Sequence, residues 1–281
     1  MMSQTSQGNQ FKADLHMHST ESDGSLTPTQ LVHLAKEKGV GMIALTDHDT
    51  ISGLEELSEA ASTENIEWMS GVEISAVADR ELHILGYGFD ETNEDLVAVL
   101  KRQTEQRIQR IYEICDKLCK LGKVVYPEDI INDAAGNVGR PHVAKALVQA
   151  QHVPTVQSAF ERYLADGCPA YVPASTISTG AAIDLIHSAG GVASLAHAAV
   201  DKAFLRIKRL IDEGLDAIEV QHPAHNRPDR KRLISIAKTF GLLMTGGSDL
   251  HTPMGHRTLG YCSMSRAAVD ALERKRLEYA C

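Results

Sequence analysis

Apolar and polar positions follow two patterns along most of the chain, short apolar runs and longer stretches of helical period. Four stretches of helical character end in glycine and pass directly into an apolar run, as a left-handed residue at a helix C-terminus favours. These four apolar runs end at Thr46, His197, Val220 and Asp249. Strands that alternate with helices in this way predict a parallel sheet.

Three further apolar segments, residues 11–16, 66–73 and 81–88, bring the predicted strands to about seven, a number that suits an α/β barrel, complete or incomplete. One crossover helix has a well-defined start. Thr27 is a suitable N-cap, Pro28 occupies the first helical position, and Gln30 closes a capping box. We therefore expect an α/β fold of the TIM-like barrel type.

The alternation stops between about Glu94 and Gly167, where apolar residues recur at helical spacing and no segment predicts a strand. Prolines break this region into three or four predicted helices, near Pro127, Pro141 and Pro154. We predict a helical insertion domain over residues 94–170, packed beside one rim of a barrel domain formed by residues 11–93 and 171–281.

Charge and composition exclude several classes of protein. A formal charge of −9 argues against stable binding of duplex nucleic acid through a broad basic surface. A small anionic ligand stays compatible with that charge, because carboxylates gathered around cations contribute to it. The N-terminal stretch lacks a secretory pattern, and no apolar run reaches membrane-spanning length, so we expect a cytoplasmic protein without membrane association. Five cysteines without paired spacing do not predict a disulfide framework.

Histidine and carboxylate residues recur at the ends of the predicted strands. In a parallel barrel the carboxyl ends of all strands lie on one face, so these residues converge on one site. A single histidine at a strand end is more often structural, but seven of the 13 histidines fall at such positions. The full set is His16, His18, Asp47, His48, Glu73, His83, His197, Glu219, His222, Asp249 and His251.

The spacing of these residues predicts metal binding. His16 and His18 point to the same side of an extended strand and can grip one ion, and Asp249 and His251 repeat that geometry. Imidazole and carboxylate ligands without thiolate suit Zn²⁺, Mn²⁺ or Fe²⁺. A carboxylate such as Glu73 can bridge two ions, and closely spaced ions clamp the attacking and leaving oxygens of a phosphoryl group. A hydrolase is the natural interpretation.

Six motifs resemble those of the PHP family, which is named for polymerase and histidinol phosphatase domains, and they occur in the family's order across residues 11–260. They are DLHMHS at 14–19, SDGSLTP at 22–28, ALTDHDT at 44–50, GVEIS at 71–75, HILGYG at 83–88 and GSDLH at 247–251. The resemblance implies a distorted (βα)7 barrel with a trinuclear metal centre.

The resemblance also implies three groups of ligands. They are His16, His18, Glu73 and Asp249 for the first ion, Asp23, His48 and His251 for the second, and Glu73, His83 and His197 for the third. We expect two or three divalent cations, with Mn²⁺ as the first expectation and Zn²⁺ or Fe²⁺ as alternatives. Ala198 follows His197 where the family usually has proline, which weakens the inference of the third ion.

Further similarity favours one branch of the family. Asp23 stands where histidinol phosphatases often carry histidine, and the segments 139–148 and 159–173 resemble the branch that hydrolyses nucleoside 3′,5′-bisphosphates and trims short RNA from its 5′ end. In that branch Arg140 and His142 would face the pocket and bind phosphate, and a guanidinium suits phosphate through its bidentate geometry. The alternative for Arg140 is a surface salt bridge.

The loop after Glu219 supplies more candidates at the same rim. His222 could contact substrate or protonate the leaving group, while His225 and Arg227 are further candidates for contact with substrate. Asp47 is better interpreted as orienting a ligand or a water.

We therefore predict a metal-dependent phosphoesterase that acts on a nucleotide such as a 3′,5′-bisphosphate or on short RNA. A hydroxide activated by the metals would attack phosphorus. Three alternatives stay open: a histidinol-phosphate phosphatase, a proofreading exonuclease, and a non-catalytic sensor that binds metal and nucleotide. The sequence leaves the oligomeric state open. The predicted catalytic residues are Asp23, His48, Glu73, Asp249 and His222.

Overall fold

The computed structural model describes residues 11–173, 177–201, 203–253 and 258–279. The strands in this part of the chain are β1 Ala13–Asp14, β2 Met42–Ala44, β3 Glu67–Met69, β4 Gly71–Val77, β5 Glu81–Tyr87, β6 Ile177–Ser178, β7 Val192–Leu195, β8 Ala217–Gln221 and β9 Leu243–Gly246. The α-helices are α1 Pro28–Lys38, α2 Leu54–Glu64, α3 Glu94–Lys120, α4 Pro127–Asp133, α5 Arg140–Gln149, α6 Val156–Ala159, α7 Thr179–Ser188, α8 Ile207–Asp212, α9 Arg227–Phe240 and α10 Arg266–Arg276. A π-helix at Phe160–Leu164 and a 3₁₀-helix at Ala203–Leu205 complete the elements.

The helix ends follow the sequence signals closely. All four predicted stop glycines have positive φ, at Gly39, Gly190, Gly214 and Gly241. The predicted capping box of α1 is present, since the Gln30 backbone N–H donates to Thr27 Oγ1 and the Thr27 N–H donates to Gln30 Oε1. These local predictions are confirmed because each depends only on neighbouring residues.

The strands form two sheets. The first has the order β1-β2-β3 and is parallel, and the second has the order β6-β4-β5-β7-β8-β9. The predicted strand 66–73 is divided at Ser70 into β3 and β4, which belong to different sheets. The pairing of Ala44 with Met69 nevertheless continues in register beyond Ser70, where His48 bridges Glu73.

The prediction of an all-parallel sheet is wrong for β5, which is antiparallel to both β4 and β7. Only residues 78–80 join β4 to β5, and so short a connection can join antiparallel strands but not parallel ones. His83 pairs with Ser75 and therefore lies near the start of its strand rather than at its end. It still reaches the rim where the parallel strands end.

Backbone hydrogen bonds link the two sheets beside β1. The Leu15 N–H donates to the Gly246 carbonyl at 3.3 Å, and the Asp249 N–H donates to the His16 carbonyl at 2.8 Å. The chains approach so closely that a Cβ at Gly247 would lie 2.3 Å from the His16 nitrogen. The fold is thus mixed α/β, and its closure into a (βα)7 barrel stays a prediction.

Apolar side chains form separate clusters on the sheet and in the helical region. Leu96 and Leu100, in the first turns of α3, pack into the cluster that contains Ile74 of β4. Ile111 and Leu118, later in the same helix, pack instead with residues of α4, α5 and the π-helix. The predicted division at residues 94 and 170 stays a prediction. No helix among the described residues is both long and apolar enough to cross a membrane.

Candidate metal centre

Glu73 lies at the centre of a buried group of imidazoles. Its side chain projects from β4 and is 1% exposed. Its Oε1 lies 2.8 Å from His197 Nε2 and 2.9 Å from His83 Nδ1. Its Oε2 lies 3.2 Å from His18 Nε2, and 3.3 Å from both His16 Nε2 and His48 Nδ1. One carboxylate therefore contacts five histidines from four chain segments with its two oxygens.

Asp23 and Asp249 extend this group on the side of His18. Asp249 Oδ1 lies 3.2 Å from His18 Nε2 and 3.4 Å from His16 Nε2. Asp23 Oδ1 lies 3.2 Å from His251 Nε2 and 3.8 Å from His18 Nδ1. Imidazole and carboxylate atoms thus alternate through the site, which is the pattern of a ligand set for several ions.

Buried nitrogen atoms without hydrogen-bond partners show that a cation fits this site. Both ring nitrogens of His18 and Nδ1 of His48 make no hydrogen bond, although buried polar atoms in proteins are nearly always satisfied. Ligand atoms converge to within 4.8 Å of one another in four groups, and these groups contain all nine predicted ligands and no other described residue. The groups are His18, Asp23, His48 and His251; His16, His18 and Asp249; His16, Glu73 and His197; and His48, Glu73 and His83.

The carboxylates of the group favour positive charge on several of its histidines, although burial lowers the pKa of His48. Burial opposes protonation of His251, but Asp23 and Asp249 outweigh it and raise the pKa of this histidine to about 10. Burial likewise opposes protonation of His83, and Glu73 raises its pKa to about 9. The carboxylates thus attract positive charge strongly, and a bound cation would take the place of these protons.

Backbone strain occurs at the same site. Asp49, His197 and Asp249 have φ of 52°, 23° and 48°, in the left-handed region that non-glycine residues rarely adopt. Such conformations cluster at functional sites, where the surrounding structure maintains them. Each of these residues follows a strand, so the unusual turn redirects the chain at the rim of the site.

Two carboxylates orient the predicted ligands from outside the cluster, and the sequence did not assign them a role. Glu219 Oε1 is 2.9 Å from Nδ1 of His16, and its Oε2 accepts the His197 backbone N–H at 2.8 Å. Asp201 Oδ2 is 2.9 Å from Nδ1 of His197. The position of Glu219 at the end of a predicted strand could have indicated this role, whereas no pattern in the sequence indicated a role for Asp201.

Asp47 and Asp14 hold the loops that carry predicted ligands. Asp47 accepts hydrogen bonds from the Ser19 N–H at 2.7 Å and from the hydroxyls of Ser19 and Ser22, so it fixes the loop between His18 and Asp23. Asp14 accepts the N–H groups of Ser248 at 2.8 Å and Gly260 at 2.7 Å. Asp47 thus acts on a loop that carries predicted ligands, and Asp14 does the same for the segment with Asp249 and His251.

The helical region reaches the site through Arg107, which the sequence analysis missed. Arg107 Nε and Nη2 lie 2.7 and 2.6 Å from Asp49 Oδ2, and Nη2 also donates to Ser75 Oγ at 2.8 Å. Asn137 Nδ2 donates to the His48 carbonyl at 2.9 Å. These contacts fix the backbone directly beside His48 and Glu73.

Arg140 lies near the cluster, where it pairs with a carboxylate. Its Nη2 is 3.4 Å from Glu81 Oε1, and Arg110 Nη2 is 3.0 Å from the other oxygen of Glu81. Glu81 Oε1 is in turn 3.8 Å from His83 Nε2. His142 is partly buried at the start of α5, and its Nδ1 accepts the Gly139 N–H at 3.1 Å. Two guanidinium groups thus share one carboxylate at the edge of the site.

The three candidates on the loop after β8 occupy different environments. His222 Nε2 lies 3.1 Å from Asp249 Oδ2, and its Nδ1 accepts the Ala224 N–H at 3.1 Å. His225 is 2% exposed, and both of its ring nitrogens contact backbone groups, the Val220 carbonyl and the Ala199 N–H. Arg227 is exposed at the start of α9. His222 therefore joins the cluster, while contact of His225 or Arg227 with substrate stays a prediction.

Comparison with known proteins decides the family. The model of the PHP domain matches residues 14–223. The chain belongs to the PHP family. This PHP chain is 41% identical over 255 residues to a 5′-3′ exoribonuclease of Haemophilus influenzae, with 89% of the chain and 93% of that protein covered. It is 35% identical over 257 residues to a 3′,5′-nucleoside bisphosphate phosphatase of Chromobacterium violaceum, covering 88% and 90%.

A solved structure agrees with this assignment. The PHP chain superposes on a candidate metal-dependent phosphoesterase from Bifidobacterium adolescentis with a TM-score of 0.86 and 30% identity, covering 94% of this chain and 96% of the other. The predicted family is confirmed, and the PHP protein is a metal-dependent phosphoesterase with clusters of side chains able to hold metal.

Proposed function

We propose that this protein hydrolyses the phosphate ester at the 3′ oxygen of nucleoside 3′,5′-bisphosphates, and the equivalent bond in short RNA that carries a 5′-phosphate. The observation that carries the proposal is Glu73, whose two oxygens lie within 3.3 Å of five imidazoles, beside the guanidinium groups of Arg110 and Arg140. A multinuclear cation site next to an anion site suits a substrate with two phosphates.

The nine residues of the four groups would hold two or three divalent cations, Mn²⁺ first and Zn²⁺ or Fe²⁺ as alternatives, on a distorted (βα)7 barrel. Such cations polarise phosphoryl oxygens and supply a nucleophilic water at neutral pH. Glu73 would bridge neighbouring ions, because each of its oxygens contacts a different set of histidines. Asp23, His48 and Asp249 would complete the set of ligands.

Arg140 and Arg110 would bind the phosphate that is not cleaved. The two guanidiniums carry one more positive charge than Glu81 removes, and each can present a planar pair of donors to phosphate oxygens. His142 lies beside Arg140 on the same helix turn and would add a further donor. The names of the two relatives, a nucleoside bisphosphate phosphatase and a 5′-3′ exoribonuclease, support this substrate class.

His222 would protonate the leaving oxygen. Because its Nδ1 accepts a backbone N–H, the proton of the neutral ring lies on Nε2, which points to Asp249 at 3.1 Å. In the proposed step a water oxygen bonds to phosphorus and loses one proton, the bond from phosphorus to O3′ breaks, and O3′ takes the proton of His222 Nε2. The proton lost by the water restores the imidazole. A bisphosphate then yields inorganic phosphate and a nucleoside 5′-monophosphate.

A substrate panel tests this proposal. Purified protein with Mn²⁺ is incubated separately with adenosine 3′,5′-bisphosphate, histidinol phosphate and a 5′-phosphorylated tetranucleotide RNA. We expect EDTA-sensitive release of phosphate and AMP from the bisphosphate and of 5′-nucleotides from the RNA. Faster turnover of histidinol phosphate would favour the histidinol phosphatase alternative. If the protein binds one of the three substrates but hydrolyses none of them, the alternative of a non-catalytic sensor would be favoured.

A further inference from the structure

A groove of about 450 Å³ lies between the helical region and the loop that carries Asp23. It is lined by Thr20, Ser22 and Gly24 of that loop, by residues of α4 and α5, and by the segment leading into α4. Its volume falls within the range of sites that bind small molecules. Of the residues given a role in the proposed reaction of a bisphosphate, only His142 lines this groove.

The groove begins at the predicted metal cluster. Ser22 and Gly24, which line it, are the chain neighbours of Asp23, whose carboxylate lies 3.2 Å from His251. His142 also lines the groove, and the charge of Asp23 acts on the pKa of this histidine, which burial lowers. The groove therefore borders the chain segment that carries Asp23 into the cluster.

Helix α5 separates the groove from the arginine site. One face of α5 lines the groove at intervals of three and four residues, the spacing of one helix face. It consists of His142, Lys145, Ala146 and Gln149, and Ala150 directly after the helix continues it. Arg140, at the start of the same helix, instead contacts Glu81 of β5. Arg140 and Lys145 thus belong to two different sites on the same helix.

We propose that this groove binds the nucleotide that follows the cleaved phosphate in an RNA substrate. The inference rests on the proposed function. In a bisphosphate the phosphorus that is cleaved from O3′ carries three terminal oxygens. In RNA one of these three oxygens is instead O5′ of the next nucleotide. Hydrolysis of the bond to O3′ leaves that phosphate on the shortened RNA as a new 5′-phosphate. The next nucleotide of the RNA therefore needs a binding site that a bisphosphate does not use.

The side chains of the groove have the chemistry to recognise such a nucleotide. Tyr126 lines it and is 64% exposed, so its ring is available for stacking with a base. Lys145 is exposed, and no carboxylate among the described residues lies within ion-pair distance of it, which leaves its ammonium available to a phosphate. Asp129 and Asp133 on the wall formed by α4 can accept hydrogen bonds from ribose hydroxyls.

The kinetic test compares two substrates in the Tyr126→Ala variant. We expect kcat/KM for a 5′-phosphorylated tetranucleotide RNA to fall about tenfold, from the loss of one stacked base, while kcat/KM for adenosine 3′,5′-bisphosphate is unchanged. Lys145→Gln should lower kcat/KM for the RNA by a smaller factor, and this effect should disappear at high salt. Tyr112→Ala is the matched control, since Tyr112 is 39% exposed on α3 and lies outside the groove. Equal losses on both substrates would overturn the proposal.

A binding measurement separates this inference from the proposed function. Anisotropy of a fluorescently labelled, 5′-phosphorylated tetranucleotide is titrated with protein in EDTA, so that no turnover occurs. We expect weaker binding to Tyr126→Ala than to the parent protein and to Tyr112→Ala. Equal binding by all three proteins would refute the groove as an RNA site. The two proposals can also separate. If Tyr126→Ala binds the RNA more weakly, but the parent protein does not hydrolyse the RNA when Mn²⁺ is added, the groove is upheld and the proposed function is refuted.

Discussion

Glu219 holds the imidazole of His16 through a 2.9 Å contact between Oε1 and Nδ1. This contact places the proton on Nδ1 and leaves Nε2, with its lone pair, facing Glu73 at 3.3 Å and Asp249 at 3.4 Å. The second oxygen of Glu219 accepts the backbone N–H of His197. One buried side chain therefore fixes the orientation of two predicted ligands without facing the cations itself.

The first prediction concerns Glu219→Gln. A glutamine offers one acceptor oxygen, so either His16 Nδ1 or the His197 N–H loses its partner, and metal affinity should fall about 10–100-fold. Isothermal titration with Mn²⁺ of the EDTA-treated protein measures the change. Glu273→Gln on the exposed face of α10 is the matched control. Unchanged affinity in Glu219→Gln would show that this carboxylate has no part in metal binding.

The second prediction concerns His18, whose buried ring nitrogens have no hydrogen-bond partner. His18→Ala should reduce the amount of bound metal measured by elemental analysis. It should also lower kcat/KM about 100-fold or more, because loss of a ligand costs at least as much as loss of a residue that orients a ligand. His33→Ala on α1, with a side chain 59% exposed, should retain both metal and activity. Full metal content in His18→Ala would refute its role as a ligand.

The third prediction concerns Arg140. If its guanidinium binds the uncleaved phosphate, Arg140→Ala should raise KM for a nucleoside 3′,5′-bisphosphate about tenfold or more. KM for a nucleoside 3′-monophosphate should change little. Arg140→Lys should restore only part of the loss, because lysine lacks the planar pair of donors.

Arg162→Ala, at an exposed position of the π-helix, is the control for the change in net charge. An equal rise in KM for both substrates would identify the contact of Arg140 with Glu81 as a structural ion pair.

The fourth prediction concerns stability away from the site. Asp216 accepts hydrogen bonds from His187 Nε2 at 2.7 Å, from the Tyr279 hydroxyl at 2.6 Å and from the Ala193 N–H at 2.9 Å. Burial by itself raises the pKa of Asp216, but the hydrogen bonds from His187 and Tyr279 outweigh it and hold the pKa below 3.8. Asp216→Asn should lower the free energy of unfolding at pH 7 by about 1–3 kcal/mol.

The pH dependence of this effect has a defined sign. A carboxyl group with a depressed folded-state pKa adds stability above its unfolded-state pKa, and this stability is lost as the pH falls through the folded-state value. The difference between parent and Asp216→Asn in urea unfolding should thus stay constant down to about pH 4 and shrink below it. Asp212→Asn, exposed on α8, should show no difference. A difference that grows on acidification would contradict the assignment.

The sequence predicted well what depends on local pattern. Glycine at a helix end and the capping box at Thr27 and Gln30 are decided by neighbouring residues, and they appear as predicted. The convergence of residues as distant as His18 and His251 was predicted because the ends of strands meet at one rim. Their role as ligands is a proposal that the metal measurements above will test.

The remaining features depend on pairs of residues that are distant in sequence. Glu219 and His16 are 203 positions apart, and Arg107 and Asp49 are 58 positions apart. No local spacing indicates which carboxylate meets which partner across such distances. The antiparallel direction of β5 did have a local signal, because only residues 74–80 separate the predicted strands 66–73 and 81–88, too few for a crossover between parallel strands. The interpretation of alternating strands and helices did not use it.

The antiparallel direction of β5 determines how the two regions of the molecule communicate. β5 starts at the rim and ends at the far end of the strands, so α3 begins away from the site. The helix then runs back toward the site over a length of about 40 Å. Its first turns pack on the sheet, its middle turns carry Arg107 and Arg110, and its last turns belong to the helical cluster. Exchanging the helices after Lys120 for those of a relative, with Asn137 retained, should therefore alter the choice of substrate while the middle turns of α3 keep their contacts with the rim.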